Sequence, residues 1–210
     1  MIKRLLLILV CVTIAFAEPY IDALLIDEVE KKYGTFARNR FALLNQVMTD
    51  ARGKDELRQL EIINDFYNSV PYSSDENNYH VKDYWATPLE FLGRDRGDCE
   101  DYVIAKYFAL KFLGVDTRKL YFTYVRSRKF KQPHMVLTYF STPDSVPLVL
   151  DNFNYKIFPA NERRDLVPVY NFNGDNLYIA HSSGYGQKVE QKQSYKQWDL
   201  LLSNIQRNKL

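Results

Sequence analysis

The chain has 210 residues, with 28 Lys and Arg against 26 Asp and Glu, a formal charge of +2 and 46% hydrophobic residues. That balance excludes the concentrated positive charge that grips nucleic-acid phosphates, and the basic residues are scattered among acidic ones. The length and apolar content suit one packed core and require no second domain.

The first residues, MIKRLLLILVCVTIAFAEPY, join Lys3 and Arg4 to an apolar run from Leu5 to Phe16 and the small-residue pattern Ala15-Phe16-Ala17. This is the pattern of a secretory signal peptide, residues 1–17, cleaved after Ala17. The run is shorter than the roughly 20 residues of a membrane span, and Glu18 and Pro19 follow it at once. A single domain of residues 18–210 is expected beyond it, with a net charge near zero once Lys3 and Arg4 are gone. Cys11 follows Val10 rather than a small residue, so lipidation is disfavoured. Of two cysteines, loss of Cys11 leaves Cys99 alone in an exported protein. An unpaired thiol there is an intermolecular bridge, an inert buried side chain or a nucleophile.

From Ile21 to about Val70 apolar residues recur at helical spacing, as in Phe41, Leu44, Val47, Met48 and then Leu57, Leu60, Ile63, Phe66. Two or three amphipathic helices are expected, interrupted at Gly34 and Gly53 and closed by Pro71. The polar tract SSDENNYH, residues 73–80, reads as an exposed loop. Thr87, Pro88 and Glu90 then form a capping box that starts a short helix ending by Gly93. The run from Val103 to Phe112 is apolar on more than one face and stops at Gly114, which marks a buried central helix with Cys99 at or just before its start. Beyond Gly114 come β-branched and aromatic runs, KLYFTYVRS, HMVLTYF, VPLVLDNF and the weaker NLYIAH. Helices followed by an antiparallel sheet make an α+β domain. The final stretch QSYKQWDLLLSNIQRN reads as a further amphipathic helix or a loose tail.

A helix start favours thiolate over thiol, which suits Cys99 as a nucleophile, whereas Asp98, Glu100 and Asp101 oppose a second negative charge beside them. Something should neutralise them. Three histidines, His80, His134 and His181, are candidates for the base that cysteine catalysis needs. A hairpin turning between Thr142 and Pro143 places His134 opposite Asp151, close enough for the carboxylate to fix the ring tautomer. Oxygen ligands suit Ca²⁺, which would offset the carboxylates around Cys99, while the absence of HExxH and of a second cysteine disfavours zinc.

The blocks YWATPLEFLGRDRGDCEDYVIAKYFAL, PHMVLTY and LVLDNFN, spanning about Asp83 to Tyr155, resemble the bacterial transglutaminase-like cysteine proteinases of the LapG type. The resemblance implies a papain-like core and a Cys99, His134, Asp151 triad. It also implies Ca²⁺ held by Asp98 and Glu100, with Asp101 outside that set. The substrate of such proteases is the N-terminal region of a large surface adhesin, cut near paired alanines to release biofilm cells. Their partner is an inner-membrane, LapD-type receptor that senses cyclic di-GMP and sequesters the protease in the periplasm. Trp85 is a receptor contact by resemblance alone, and the Cys99 backbone N–H is the expected oxyanion donor. The competing readings are a transglutaminase-like acyl transferase or amidase, and a non-catalytic calcium-dependent binding module.

Overall fold

The computed structural model describes residues 18–173, 177–180, 184–189 and 196–207. The expected signal peptide and His181 lie outside the described residues. Three amphipathic helices open the fold: α1 (Ala23–Tyr33), α2 (Thr35–Ala51) and α3 (Glu56–Asn68). Asp22 and Asp55 cap α1 and α3, accepting from the N–H groups of Leu25 and Arg58 at 2.9 and 3.0 Å. Gly34, at φ +87°, makes the bend between α1 and α2 that a side chain would strain. The apolar stripes meet in one core through Val29, Phe41, Leu44, Met48, Leu60 and Ile63.

The polar tract expected to be an exposed loop is instead a docked helix, α4 (Asp75–Tyr79), in which Asp75 and Asn78 are buried. Its polar groups serve internal bonds. Asp75 accepts from the Tyr84 N–H, Asn78 donates to the Arg96 carbonyl, and Arg94 donates to the Asn78 carbonyl. The capping box holds: Thr87 starts α5 (Pro88–Arg94), its Oγ1 accepting from Glu90 N–H while Glu90 accepts from Thr87 N–H. Helix α6 (Cys99–Phe112) is the buried central helix, with Ile104, Ala105, Ala109 and Leu110 fully covered.

An antiparallel sheet follows. Its strands are β1 (Leu120–Ser127), β2 (Gln132–Tyr139), β3 (Leu148–Leu150), β4 (Phe158–Pro159), β5 (Leu166–Phe172), β6 (Leu177–Ile179) and β7 (Gln187–Lys188), in the order β4-β3-β2-β1-β5-β6-β7. The fold is α+β, as expected. Strand β5 was not anticipated, and it carries Pro168, a residue ordinarily confined to edge strands. It lies inside the sheet, where a bulge between Tyr124 and Val125 accommodates the proline opposite Val125. The last helix, α7 (Lys196–Gln206), packs Trp198 into an aromatic group with Tyr107, Phe122 and Phe172.

The hairpin register differs from expectation. Thr138 pairs with Val149, so the turn is centred between Pro143 and Asp144, held by a Thr142 carbonyl that accepts from the Ser145 N–H at 3.1 Å. His134 therefore pairs with no β3 residue, and Asp151 lies just past the strand end. Moving the turn centre by one residue shifts every partner by two, which preserves the face. Val136 and Val149 belong to a small second core on the sheet face away from the main core. His134, two before Val136, and Asp151, two after Val149, share that face by strand alternation.

Candidate active site

Cys99 is the first residue of α6, and the chain reaches it through Gly97 and Asp98. Gly97 has little choice of side chain: a β-carbon there would lie 2.4 Å from Asp101 Oδ2 and 2.6 Å from the Phe91 ring. Its backbone bridges to Tyr72, and its carbonyl accepts from Ser73 N–H at 2.8 Å. Asp101 is fully buried, with Oδ1 accepting from Ala86 N–H at 2.9 Å and Oδ2 from Asp98 N–H at 3.3 Å. One carboxylate thus pins the 85–87 segment to the helix start, which explains why Asp101 stands apart from its acidic neighbours. Gly97→Ala is expected to cost about 1 to 3 kcal/mol by overpacking, read as a lowered urea midpoint. An unchanged midpoint would show that Asp101 and Phe91 can give way.

A cleft of about 450 Å³ opens at this helix start, with Cys99, His134, Asp98, Glu100 and Trp85 among its walls. His134 is 2% exposed, and its Nε2 donates to Asp151 Oδ1 at 2.8 Å. Its Nδ1 is buried and has no partner among the described residues, so Nδ1 is the nitrogen left to accept a proton. This reverses the serine-protease arrangement, in which Nδ1 meets the carboxylate and Nε2 the nucleophile. The Phe153 ring stacks on the imidazole at 4.3 Å, and the Met135 backbone, next to His134, hydrogen-bonds the Cys99 sulfur. Cys99 and His134 therefore line one cleft, and Asp151 holds His134 by its Nε2, despite the shifted register.

Asp151 is held more firmly than the sequence suggested. Oδ1 also accepts from Phe153 N–H at 2.9 Å, and Oδ2 accepts from Arg163 Nη2 at 2.6 Å. Burial opposes ionisation, but the His134, Phe153 and Arg163 hydrogen bonds outweigh it and hold Asp151 down to about 2. Arg163 also grips Asp165, at 2.9 and 2.8 Å. Behind them, Lys106 is fully buried on α6 and donates to Asn64 and Asn68. Asn68 in turn donates to the Asp151 carbonyl at 2.9 Å, and Asn64 to the Tyr155 carbonyl at 2.7 Å. Arg163, Lys106, Asn64 and Asn68 were missed in the sequence. Only the polar letters inside otherwise apolar helix faces hinted at the last three.

The electrostatics around Cys99 are adverse. Burial first, then the Glu100 and Asp98 carboxylates, push its thiol well up, and the thiol donates to Glu100 Oε2 at 3.1 Å. Asp75 joins Asp98 and Glu100, so that one oxygen from each lies within 4.8 Å of the others. Sequence reasoning missed Asp75 because it placed that tract in solvent. Burial, with the neighbouring carboxylates adding to it, pushes Asp98 up to about 10, and burial raises Asp75 to about 6. Asp75 Oδ1 and Asp98 Oδ1 are buried with no partner among the described residues. Among the described residues none of the three has an ion-pair partner, and an all-oxygen set with two orphaned oxygens fits a hard divalent cation.

A pH dependence follows. The folded values of Asp98 and Asp75 lie above their ordinary 3.8, so the native state binds the extra protons and stability falls as pH rises from about 4 through 6 and on toward 10. Metal-free protein should show melting temperatures that decline over that window, and saturating Ca²⁺ should flatten the decline. A slope indifferent to Ca²⁺ would dissociate these carboxylates from a cation site.

The model of the bacterial transglutaminase-like cysteine proteinases matches residues 41–164, more than half of the chain, with Asp75, Asp98, Cys99, Glu100, His134 and Asp151 inside the match. The chain belongs to this family. Solved structures of Legionella pneumophila LapG are similar throughout. The calcium-bound form is 36% identical, with a TM-score of 0.75, and the match covers 88% of this chain and 99% of that one. An EGTA-treated form of the same protein, also 36% identical, matches with a TM-score of 0.76 over 90% and 100% of the two chains. Among curated proteins none matches the chain. The membership makes the protein a LapG-like cysteine proteinase in fold and class, and turns the cleft at Cys99 into the place to look for its chemistry.

Proposed function

We propose that the protein is a calcium-dependent periplasmic cysteine endopeptidase that cuts the N-terminal region of a large surface adhesin and so promotes release of biofilm cells. The observation that carries the reading is the meeting, in one cleft, of a helix-start cysteine with a histidine whose far nitrogen is fixed by a buried carboxylate. The signal-like leader supports export, and likeness to LapG supports the adhesin substrate and an inner-membrane, cyclic di-GMP-sensing receptor of the LapD type as partner.

In this reading His134 Nδ1 takes the Cys99 proton, and the resulting imidazolium is stabilised by Asp151 through Nε2. The thiolate attacks the scissile carbonyl to form a tetrahedral intermediate, whose oxyanion is met by the Cys99 N–H at the start of α6. The intermediate collapses to a thioester as His134 returns the proton to the departing amine. Water, deprotonated by the same histidine, then releases the acid and restores the thiol. Asp75, Asp98 and Glu100 are the residues that would hold Ca²⁺, whose charge would offset the carboxylates opposing the thiolate.

Mature protein incubated with an adhesin N-terminal fragment, with Ca²⁺ and then with chelator, tests this. One new pair of fragments, formed only with Ca²⁺, is expected. A primary amine in the mixture should leave the fragments unmodified, since incorporation of the amine would identify an acyl transferase instead. Full cleavage in excess chelator would sink the calcium dependence.

A further inference from the structure

On the sheet face carrying His134 and Asp151, the small core of Val125, Val136 and Val149 is packed by Leu166 and by Ala160, which opens a 3-10 turn at 160–162. Beyond His134 and Asp151 lies a second cavity, about 340 Å³, floored by Val125, Val136, Val149 and Leu166. Its floor comes from β3, β2, β1 and β5, which are neighbours in that order, so it spans three strand spacings, about 14 Å, and its rim comes from the flanking turns, among them Pro147, Ala160 and Asn161. Three arginines border it, Arg128, Arg163 and Arg164, and among the described residues no acidic one does. Arg128 and Arg164 are exposed without ion-pair partners among the described residues. Arg163, committed to Asp151 and Asp165 through one edge of its guanidinium, keeps Nη1 buried with no acceptor. Exposed Arg128 and Arg164 beside a floor of Val125, Val136, Val149 and Leu166, in a chain with almost no net charge, form a local positive patch at a largely apolar trough.

We propose that this trough is a docking site for an extended peptide segment of a partner protein in which acidic residues alternate with apolar ones. Alternation suits both elements: successive side chains of an extended segment face opposite ways, so apolar ones meet the floor while carboxylates on the other side reach the bordering arginines. The trough's length matches about four extended residues, a segment rather than a compact ligand. The site is separate from the cleft at Cys99, with which it shares no lining residue.

A fluorescein-labelled peptide of alternating leucine and glutamate, titrated with Ca²⁺-loaded protein and followed by fluorescence polarisation, tests the proposal. Saturable binding is expected. It should weaken at least tenfold for the glutamine counterpart and for the double variant Arg128→Gln and Arg164→Gln, whose side chains are exposed and whose melting temperature should match wild type. Raising the salt concentration should weaken it too. Equal binding of both peptides, full binding by the double variant, or none at about 1 mM protein would overturn the proposal. So would binding to phosphatidylglycerol vesicles without peptide binding, or a concentration-dependent dimer that blocks the peptide. These readouts need no proteolysis, so they stand or fall apart from the endopeptidase reading.

Discussion

Cys99→Ala is expected to remove adhesin cleavage to the detection limit, a loss of about 10⁴-fold or more, while the protein remains folded. Cys99 lies at a helix start, partly exposed, and no structural bond depends on its sulfur beyond the contacts with Glu100 and Met135. His134→Ala should abolish cleavage as fully, because no other described histidine lines the cleft. Asp151→Asn makes the more searching test. The amide must present its oxygen to either His134 or Arg163 and its NH₂ group to the other, which is itself a donor. A loss of about 10⁴-fold is therefore expected together with a lower melting temperature. Asp151→Ala strips a partner from buried Arg163 and is predicted to destabilise further, by about 3 to 5 kcal/mol. Cleavage by Cys99→Ala at wild-type rates would end the protease assignment. Normal cleavage by Asp151→Asn would reduce the carboxylate to a structural role.

Asp98→Asn should split two properties that a simple loss of stability would keep together. In metal-free protein the substitution removes one of three crowded carboxylates, so its melting temperature should rise above that of metal-free wild type. In Ca²⁺ the order should reverse. A ligand at a hundred times its dissociation constant stabilises by about 2.7 kcal/mol, worth roughly 5 to 10 °C in a chain of this size. Wild type should gain that shift and Asp98→Asn should lose most of it. Asp75→Asn should behave alike, which tests the ligand the sequence did not reveal. Activity in Ca²⁺ should fall by about 10²-fold or more in both. A full Ca²⁺ shift in either variant would place the cation elsewhere.

What the sequence disclosed was governed by contact range. Thr87, Pro88 and Glu90 signal their helix start within four positions, and Cys99 at the head of an apolar run signals the next one. The β-branched and aromatic runs after Gly114 gave β1 and β2 for the same local reason. Asp75 was hidden because its burial depends on Tyr84 and on the bridge from Tyr72 to Gly97, neither written into SSDENNYH. Arg163 and Lys106 act on Asp151 and its loop from distant chain segments, and a polar letter in a helix or turn normally means solvent. The pairing of His134 with Asp151 was reached through a wrong turn centre. It survived because the error was an even number of partner positions, and a one-position slip would have turned the two residues to opposite faces.

The carboxylates that converge beside Cys99 come from two places in the chain, Asp75 on α4 and Asp98 and Glu100 at the head of α6. Between them run Asp83 and Trp85, which form part of the cleft wall. A cation shared by both places closes a loop around that wall, as a clasp closes a strap, and its departure lengthens the loop that other bonds must hold shut. Proteases added from outside should therefore nick the stretch between Ser73 and Trp85 first when Ca²⁺ is withdrawn. The ion that relieves charge at the nucleophile would then also set the shape of the groove that receives the substrate, making affinity as well as turnover sensitive to calcium concentration.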